Sequence, residues 1–259
     1  MQGVDGQGVG RDPERPCSSD EEDVGLKRLK ELLDGSSALR TADWNVRLPL
    51  FLRRQTLSRL LFHDLLYRQI LDVPGVIIEL GCQYGPTLAT LTSLRGIHEP
   101  YNLSRQIIGF DSFDGFPSVS AVDGTEWAPG QYSTGGLDYQ DELAAILSVH
   151  ESFSPLSHVS KFELVAGDVA ETLPRWLDDN PGKTVAMALF DLDLYEPTKA
   201  SLEALGERFT RGTVVVFDEL GHRNFPGEAV ALREVHGLNT VRLRRSPLQP
   251  SVGWFVYGE

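Results

Sequence analysis

The chain has 259 residues, 41% of them hydrophobic, enough for one large α/β domain with an appendage. Its formal charge of −13 excludes a broad grip on nucleic acid or anionic membrane, but not one anionic small molecule in a locally basic or metal-bearing pocket. No run is apolar for the length of a membrane span, and the two cysteines, Cys17 and Cys82, give no disulfide framework, so a cytoplasmic protein is expected.

Residues 1–23 are Gly-rich, polar and acidic and read as a weakly held tail. Residues 24–74 read as an N-terminal helical region. Within it, "WNVRLPLFLRRQTLSRLLFHDLLYRQIL" sets Leu57, Leu60, Leu61 and Leu65 at helical spacing, a helix lying over a core and ended by Pro74-Gly75. Residues 75–259 then alternate between two patterns. "GVIIEL" (75–80), "QIIGFD" (106–111), "FELVAGD" (162–168), "VAMALFD" (185–191) and "TVVVFDEL" (213–220) are continuously apolar, as strands buried on both faces must be. Helical patterns over 86–95, 139–150, 170–178, 197–208 and 227–236 fall between and after them. This alternation predicts a doubly wound, mostly parallel sheet with right-handed crossovers. "TVRLRRSP" and "SVGWFVYG" lack an intervening helix and predict an antiparallel hairpin at one edge.

Each of the five runs ends in an acid: Glu79, Asp111, Asp168, Asp191, and Asp218 with Glu219. Open α/β sheets bind ligands at the carboxyl ends of their strands. One such Asp is often only a helix cap; five together point to a site. The first strand runs into "ELGCQYGPT", where Gly81 and Gly85 let the backbone turn tightly at a helix N-terminus. Gln83 stands where a dinucleotide fingerprint needs its middle glycine, which disfavours a NAD-linked dehydrogenase. Glu79 instead suits a ligand with a cationic end, and Asp111 suits a ribose diol. Together they suggest S-adenosylmethionine.

Asp191, Asp218 and Glu219 end neighbouring strands and are expected to converge. Unneutralised carboxylates would repel, so an all-oxygen set of this kind calls for a hard cation, Mg²⁺ with retained waters. Asp193 is a candidate general base, and His222, close in sequence to the metal acids, a candidate aid to proton transfer. The bland alternative is that Asp193 caps the helix near Pro197, or that the acids only form salt bridges. Residues 118–142, with four glycines and the aromatics Trp127 and Tyr132, read as a substrate lid. Those aromatics would either stack on a ligand or anchor the loop. Arg53, Arg54 and Arg223 are candidates for meeting a diphosphate, each individually more ordinary as a surface charge.

The segments "IELGCQYG", "GFDSFDGFP", "GDVAETLP", "DLDLYEPT" and "VVFDELGHRNFPGE" resemble, in this order, the macrocin O-methyltransferase family. The resemblance runs from about Arg47 to the C-terminus. It implies a seven-stranded class I (Rossmann-like) fold, a Mg²⁺-dependent S-adenosylmethionine enzyme, and a sugar hydroxyl as acceptor. The acceptor so implied is the 3-OH of a TDP-linked 6-deoxyhexose such as TDP-rhamnose, in antibiotic biosynthesis. It further implies that Glu79, Gly81, Gly85 and Thr87 shape the methionine end of the cofactor site, with Asp191 beside them. Asp111 would hold the ribose, and Ser112, Asp168 and Val169 would flank the adenine. Asp191, Asp218 and Glu219 would carry the metal, and Asp193 would be the base. The family more often has Asp-Asp where this chain has Asp218-Glu219. A homo-oligomer is expected on the resemblance alone. Other readings are a glycosylated natural product or a phenol as acceptor, and an inactive nucleotide-binding partner subunit.

Overall fold

The computed structural model describes residues 19–222 and 224–259. The chain divides into two compact units, residues 1–57 and 58–259. In the first, α1 (Asp20–Gly35) is opened by a capping box in which Ser19 and Glu22 satisfy each other's backbone N–H groups. Four acids fill its first turn, where the helix dipole favours negative charge. The acidic end of the predicted tail is therefore helix, while residues 1–18 lie outside the described residues. The short α2 (Trp44–Arg47) passes into a 3-10 turn, Leu48–Phe51, that contains Pro49.

The expected long helix is thus interrupted, and α3 (Arg54–Tyr67) starts only after this turn. Its inward face also differs from the leucine stripe. Phe62, His63, Leu66 and Tyr67 are buried, whereas Leu57, Leu61 and Leu65 are exposed. Because this face belongs to the sheet's core, the division between units falls inside α3 rather than near residue 74.

In the second unit β1 (Val76–Leu80), α4 (Pro86–His98), β2 (Ile107–Asp111), α5 (Leu137–Ser152), β3 (Phe162–Ala166) and α6 (Val169–Asp179) follow in turn. Then come β4 (Val185–Phe190), α7 (Tyr195–Leu205), β5 (Phe209–Phe217), α8 (Gly227–Val235), β6 (Arg244–Ser246) and β7 (Gln249–Val256). The sheet order is β3-β2-β1-β4-β5-β7-β6. Strands β1 to β5 are parallel, and β7 runs antiparallel to both β5 and β6, which is the expected edge hairpin.

The alternation of side chains divides the core into two layers. Ile77, Leu189 and Val216 pack with α3, α4 and α5 through Phe62, Leu66, Leu88 and Leu147. Ile78, Phe190 and Phe217 pack with α6, α7 and α8 through Leu173, Leu202 and Leu232. Both faces of β1 and β4 are covered, which is why their sequences, Glu79 apart, are apolar without alternation.

Candidate active site

Register builds the site. Phe110, Leu80, Phe190 and Phe217 stand side by side on β2, β1, β4 and β5. The next residues, Asp111, Gly81, Asp191 and Asp218, form a row at the carboxyl edge. Backbone bonds extend the pairing by one step: Gly81 N–H to Phe110 O at 2.8 Å, Asp191 N–H to Leu80 O at 2.9 Å, and Asp218 N–H to Phe190 O at 3.0 Å. Asp191 and Asp218 keep the parity of Leu189 and Val216, so they share the sheet face of Glu79 and α3. The strand order reverses between β1 and β4, where α/β sheets open their binding crevice.

The glycine loop closes this crevice on the β1 side. Gly81 has φ +84, and a Cβ there would come 1.9 Å from the Asp191 carbonyl oxygen, so only glycine fits beside β4. Gly85, φ +73, is the N-cap of α4, and its missing side chain makes room for Leu143. Asp111 straps the loop to β2. Its two oxygens accept the backbone N–H groups of Gln83 at 2.7 Å and Phe113 at 2.6 Å. A carboxylate oxygen has a second lone pair, so these bonds leave acceptor capacity for a diol.

Glu79 is buried, and the hydroxyl of Thr87 on the first turn of α4 bonds to it. Its Oε2 is buried without a hydrogen-bond partner. Burial pushes its pKa up to about 8, against the opposing pull of Arg59 and Thr87. An orphaned carboxylate oxygen under the glycine loop fits a ligand that brings a positive charge. Glu79 and Thr87 line a small cavity with Arg59, Phe62, His63, Asp191 and Asp218. His63 is held neutral there, its pKa lowered to about 3 by burial and then by Arg59.

Arg59 on α3 was given no role by sequence, yet it is central here. One guanidinium nitrogen lies 3.3 Å from Asp191 Oδ2 and the other 3.2 Å from Asp218 Oδ2. The two acids foremost in the metal expectation therefore do converge, and the cation between them is an arginine. Burial and then Asp218 push the Asp191 carboxyl well above the usual range, with Arg59 opposing. Two carboxylates offering oxygens to one point suit a magnesium ion, which takes one or two carboxylates and keeps several waters. Glu219 does not join them. Its backbone N–H donates to Glu228 Oε2 at 2.9 Å, and its carboxylate lies 3.5 Å from His222 Nδ1. Among the described residues no group of three His, Cys, Asp or Glu side chains is set to hold a metal.

Asp193 lies in the turn after β4 with φ +62, a conformation that costs a non-glycine residue energy. It does not cap α7: the N-cap is Leu194, with no side-chain cap bond. The Tyr195 N–H is instead taken by Asp123 Oδ1 at 2.7 Å. Asp193 raises the carboxyl pKa of both Asp191 and the fully buried Glu228, which places it electrostatically within the cluster. Glu228, from the "FPGE" segment, was missed as a site residue. Only the quoted resemblance touched it, since an acid in the first turn of α8 otherwise reads as an ordinary helix start.

The remaining candidates hold local structure. Ser112 Oγ donates to Gly115 O at 2.6 Å, Asp168 caps α6 through Ala170 N–H at 2.9 Å, and Val169 is buried in the α6–α8 layer. In the 118–142 segment, Trp127 stacks on Phe225 at 4.3 Å and donates to Asn224 O at 3.1 Å, so it anchors the loop rather than offering a stacking face. Its end is already helix, from Leu137 onward. Arg53 and Arg54 belong to the N-terminal unit, and Arg223 lies outside the described residues.

Residues 59–242 match the family described as macrocin O-methyltransferase (TylF). No curated protein matches the chain. Among solved structures, the calicheamicin methyltransferase CalS11 is 44% identical with a TM-score of 0.91, covering 97% of this chain and 99% of its own. Its apo structure, described as that of a TDP-rhamnose 3′-O-methyltransferase in calicheamicin biosynthesis, is 43% identical with a TM-score of 0.82, covering 93% and 96%. The O-methyltransferase NovP shares the fold at 20% identity and a TM-score of 0.56, covering 77% and 79%.

Proposed function

We propose a function from one premise: the chain belongs to the macrocin O-methyltransferase family. It transfers a methyl group from S-adenosylmethionine to the 3-OH of a TDP-linked 6-deoxyhexose of the rhamnose type, in antibiotic biosynthesis. The observation that carries this reading is the 44% identity to CalS11 over nearly the whole of both chains. The acid row supports it, because the residues quoted for the resemblance meet at one edge of the sheet. The enzyme is read as cytoplasmic, and no helix of the described residues is long and apolar enough to cross a membrane. It is also read as a homo-oligomer, supported by the exposed apolar side chains of Trp44, Val46 and Leu50.

In this reading Glu79, Thr87 and the Gly81–Gly85 loop hold the cationic end of the cofactor. Asp111 keeps the loop in place and offers its remaining lone pairs to the ribose, while Ser112, Asp168 and Val169 form the adenine end. Asp191 and Asp218 would hold Mg²⁺, while Glu219 pairs with His222. When bound, the cofactor supplies the methyl group and the metal lowers the pKa of the acceptor hydroxyl. Asp193 takes the proton from that hydroxyl, with His222 relaying it. The fixed row contributes mainly positioning, which is worth roughly 7–11 kcal/mol when both reactants are held in attack geometry. The segment 118–142 closes over the acceptor.

The test is mass spectrometry of the purified protein with S-adenosylmethionine and TDP-rhamnose, with Mg²⁺ and with EDTA. A gain of one methyl that EDTA abolishes is the expected result. A gain indifferent to EDTA removes the metal. No gain on the nucleotide sugar, with gain on a glycosylated natural product or a phenol, moves the acceptor.

A further inference from the structure

Arg59 bridges two acids on neighbouring strands rather than gripping one of them with both nitrogens. Its contacts of 3.3 and 3.2 Å are long for charge-assisted bonds, which settle at about 2.7–2.9 Å. The guanidinium is therefore held by the charge around it more than by a fitted fork. That charge is substantial: Asp191 and Asp218 lie against the guanidinium, and Glu79 lines the same cavity. The side chain is nevertheless 36% exposed, so it has an open route away from the pair. A magnesium ion draws its oxygens in to about 2.0–2.1 Å, and a guanidinium cannot remain between two carboxylates so drawn.

We propose that Arg59 is a built-in placeholder for the divalent cation. It neutralises Asp191 and Asp218 while the metal is absent and gives up that position when the metal arrives, so the two cations are mutually exclusive. This rests on reading Asp191 and Asp218 as the metal-holding pair. The placeholder offsets the repulsion between the two carboxylates before loading, and it weakens metal binding by the work of breaking two ion pairs. The arginine sits one helical turn before His63, whose ring remains neutral and so adds no charge to be displaced. Glu79, Asp193 and Glu228 are the other titratable groups whose charge is felt at the pair or beside it.

The experiment is a calorimetric titration of the cofactor-free protein with Mn²⁺, comparing wild type, Arg59→Gln, Arg59→Lys and Asp191→Asn. Arg59→Gln should bind Mn²⁺ about tenfold more tightly than wild type, two partly exposed ion pairs no longer having to break. Without metal its thermal midpoint should fall, and Mn²⁺ should raise that midpoint more than it raises the wild type's. Arg59→Lys keeps a cation, and so preserves folding, but lacks the fork that spans both acids; its affinity should lie between the other two. Unchanged or weaker Mn²⁺ binding in both Arg59 variants, with binding still lost in Asp191→Asn, overturns the placeholder and leaves the metal site standing. Mn²⁺ binding that Asp191→Asn does not alter overturns the metal reading itself.

Discussion

The carboxylate of Asp123 accepts the backbone N–H of Tyr195 at 2.7 Å, so a residue from the loop after β2 caps a helix that begins after β4. The same carboxylate takes the hydroxyl of Ser120 at 2.6 Å and its N–H at 3.0 Å. Asp123 is buried, and Gly227 packs directly against it. One side chain thus joins the 118–142 segment, the start of α7 and the start of α8.

Replacing Asp123 with Ala leaves the Tyr195 N–H buried without its acceptor, which should cost about 1–3 kcal/mol. The thermal midpoint should drop by several degrees, read by circular dichroism. Turnover should fall as well, because Asp193 sits in the turn that this bond holds. A midpoint within a degree of wild type would show that water replaces the lost cap.

Asp193→Asn keeps the size of the side chain and removes its basicity. Turnover should fall by about 10²–10⁴-fold, the usual contribution of a positioned base. Binding of S-adenosylhomocysteine, measured by calorimetry, should stay within a factor of a few of wild type. Near-normal turnover would take the base role from Asp193.

Glu79 gives a pH signature. Its pKa is pushed up to about 8 in the folded chain from an ordinary 4.5, chiefly by burial. Between those values the folded protein holds a proton that the unfolded chain has released. Its contribution to stability is therefore full below pH 4.5 and is lost as the pH rises through 8. The wild-type midpoint should decline across that window, and Glu79→Gln, always neutral, should decline less. Parallel melting curves for the two proteins across the window would assign the proton elsewhere.

The sheet was legible in the sequence because its central strands are covered on both sides, leaving uninterrupted apolar runs such as "VAMALF". The acids at their ends were legible because polar residues directly after such runs have few other uses. Arg59 was not legible. Its partners lie 132 and 159 positions away, and no local sequence pattern distinguishes it from Arg53 or Arg54. The inward face of α3 was misjudged for a related reason. Leucines at helical spacing mark a stripe, but the sheet instead received Phe62, Leu66 and Tyr67, whose neighbours include Trp254 from the far end of the chain. Pro49 gave a visible warning of the break before α3, since its ring removes a backbone donor from any helix running through it.

The row at the carboxyl edge has one more consequence. Main-chain bonds seat Asp191 and Asp218, and the closeness of Gly81 to Asp191 leaves the backbone no slack. The spacing between these positions is thus indifferent to the charges mounted on them. The edge behaves as a pegboard with fixed holes, in which an acid can be exchanged for an amide while its neighbours keep their places. Such an edge can change its chemistry faster than its shape, and divergence among its relatives should be sought in the pegs and in the loops above them.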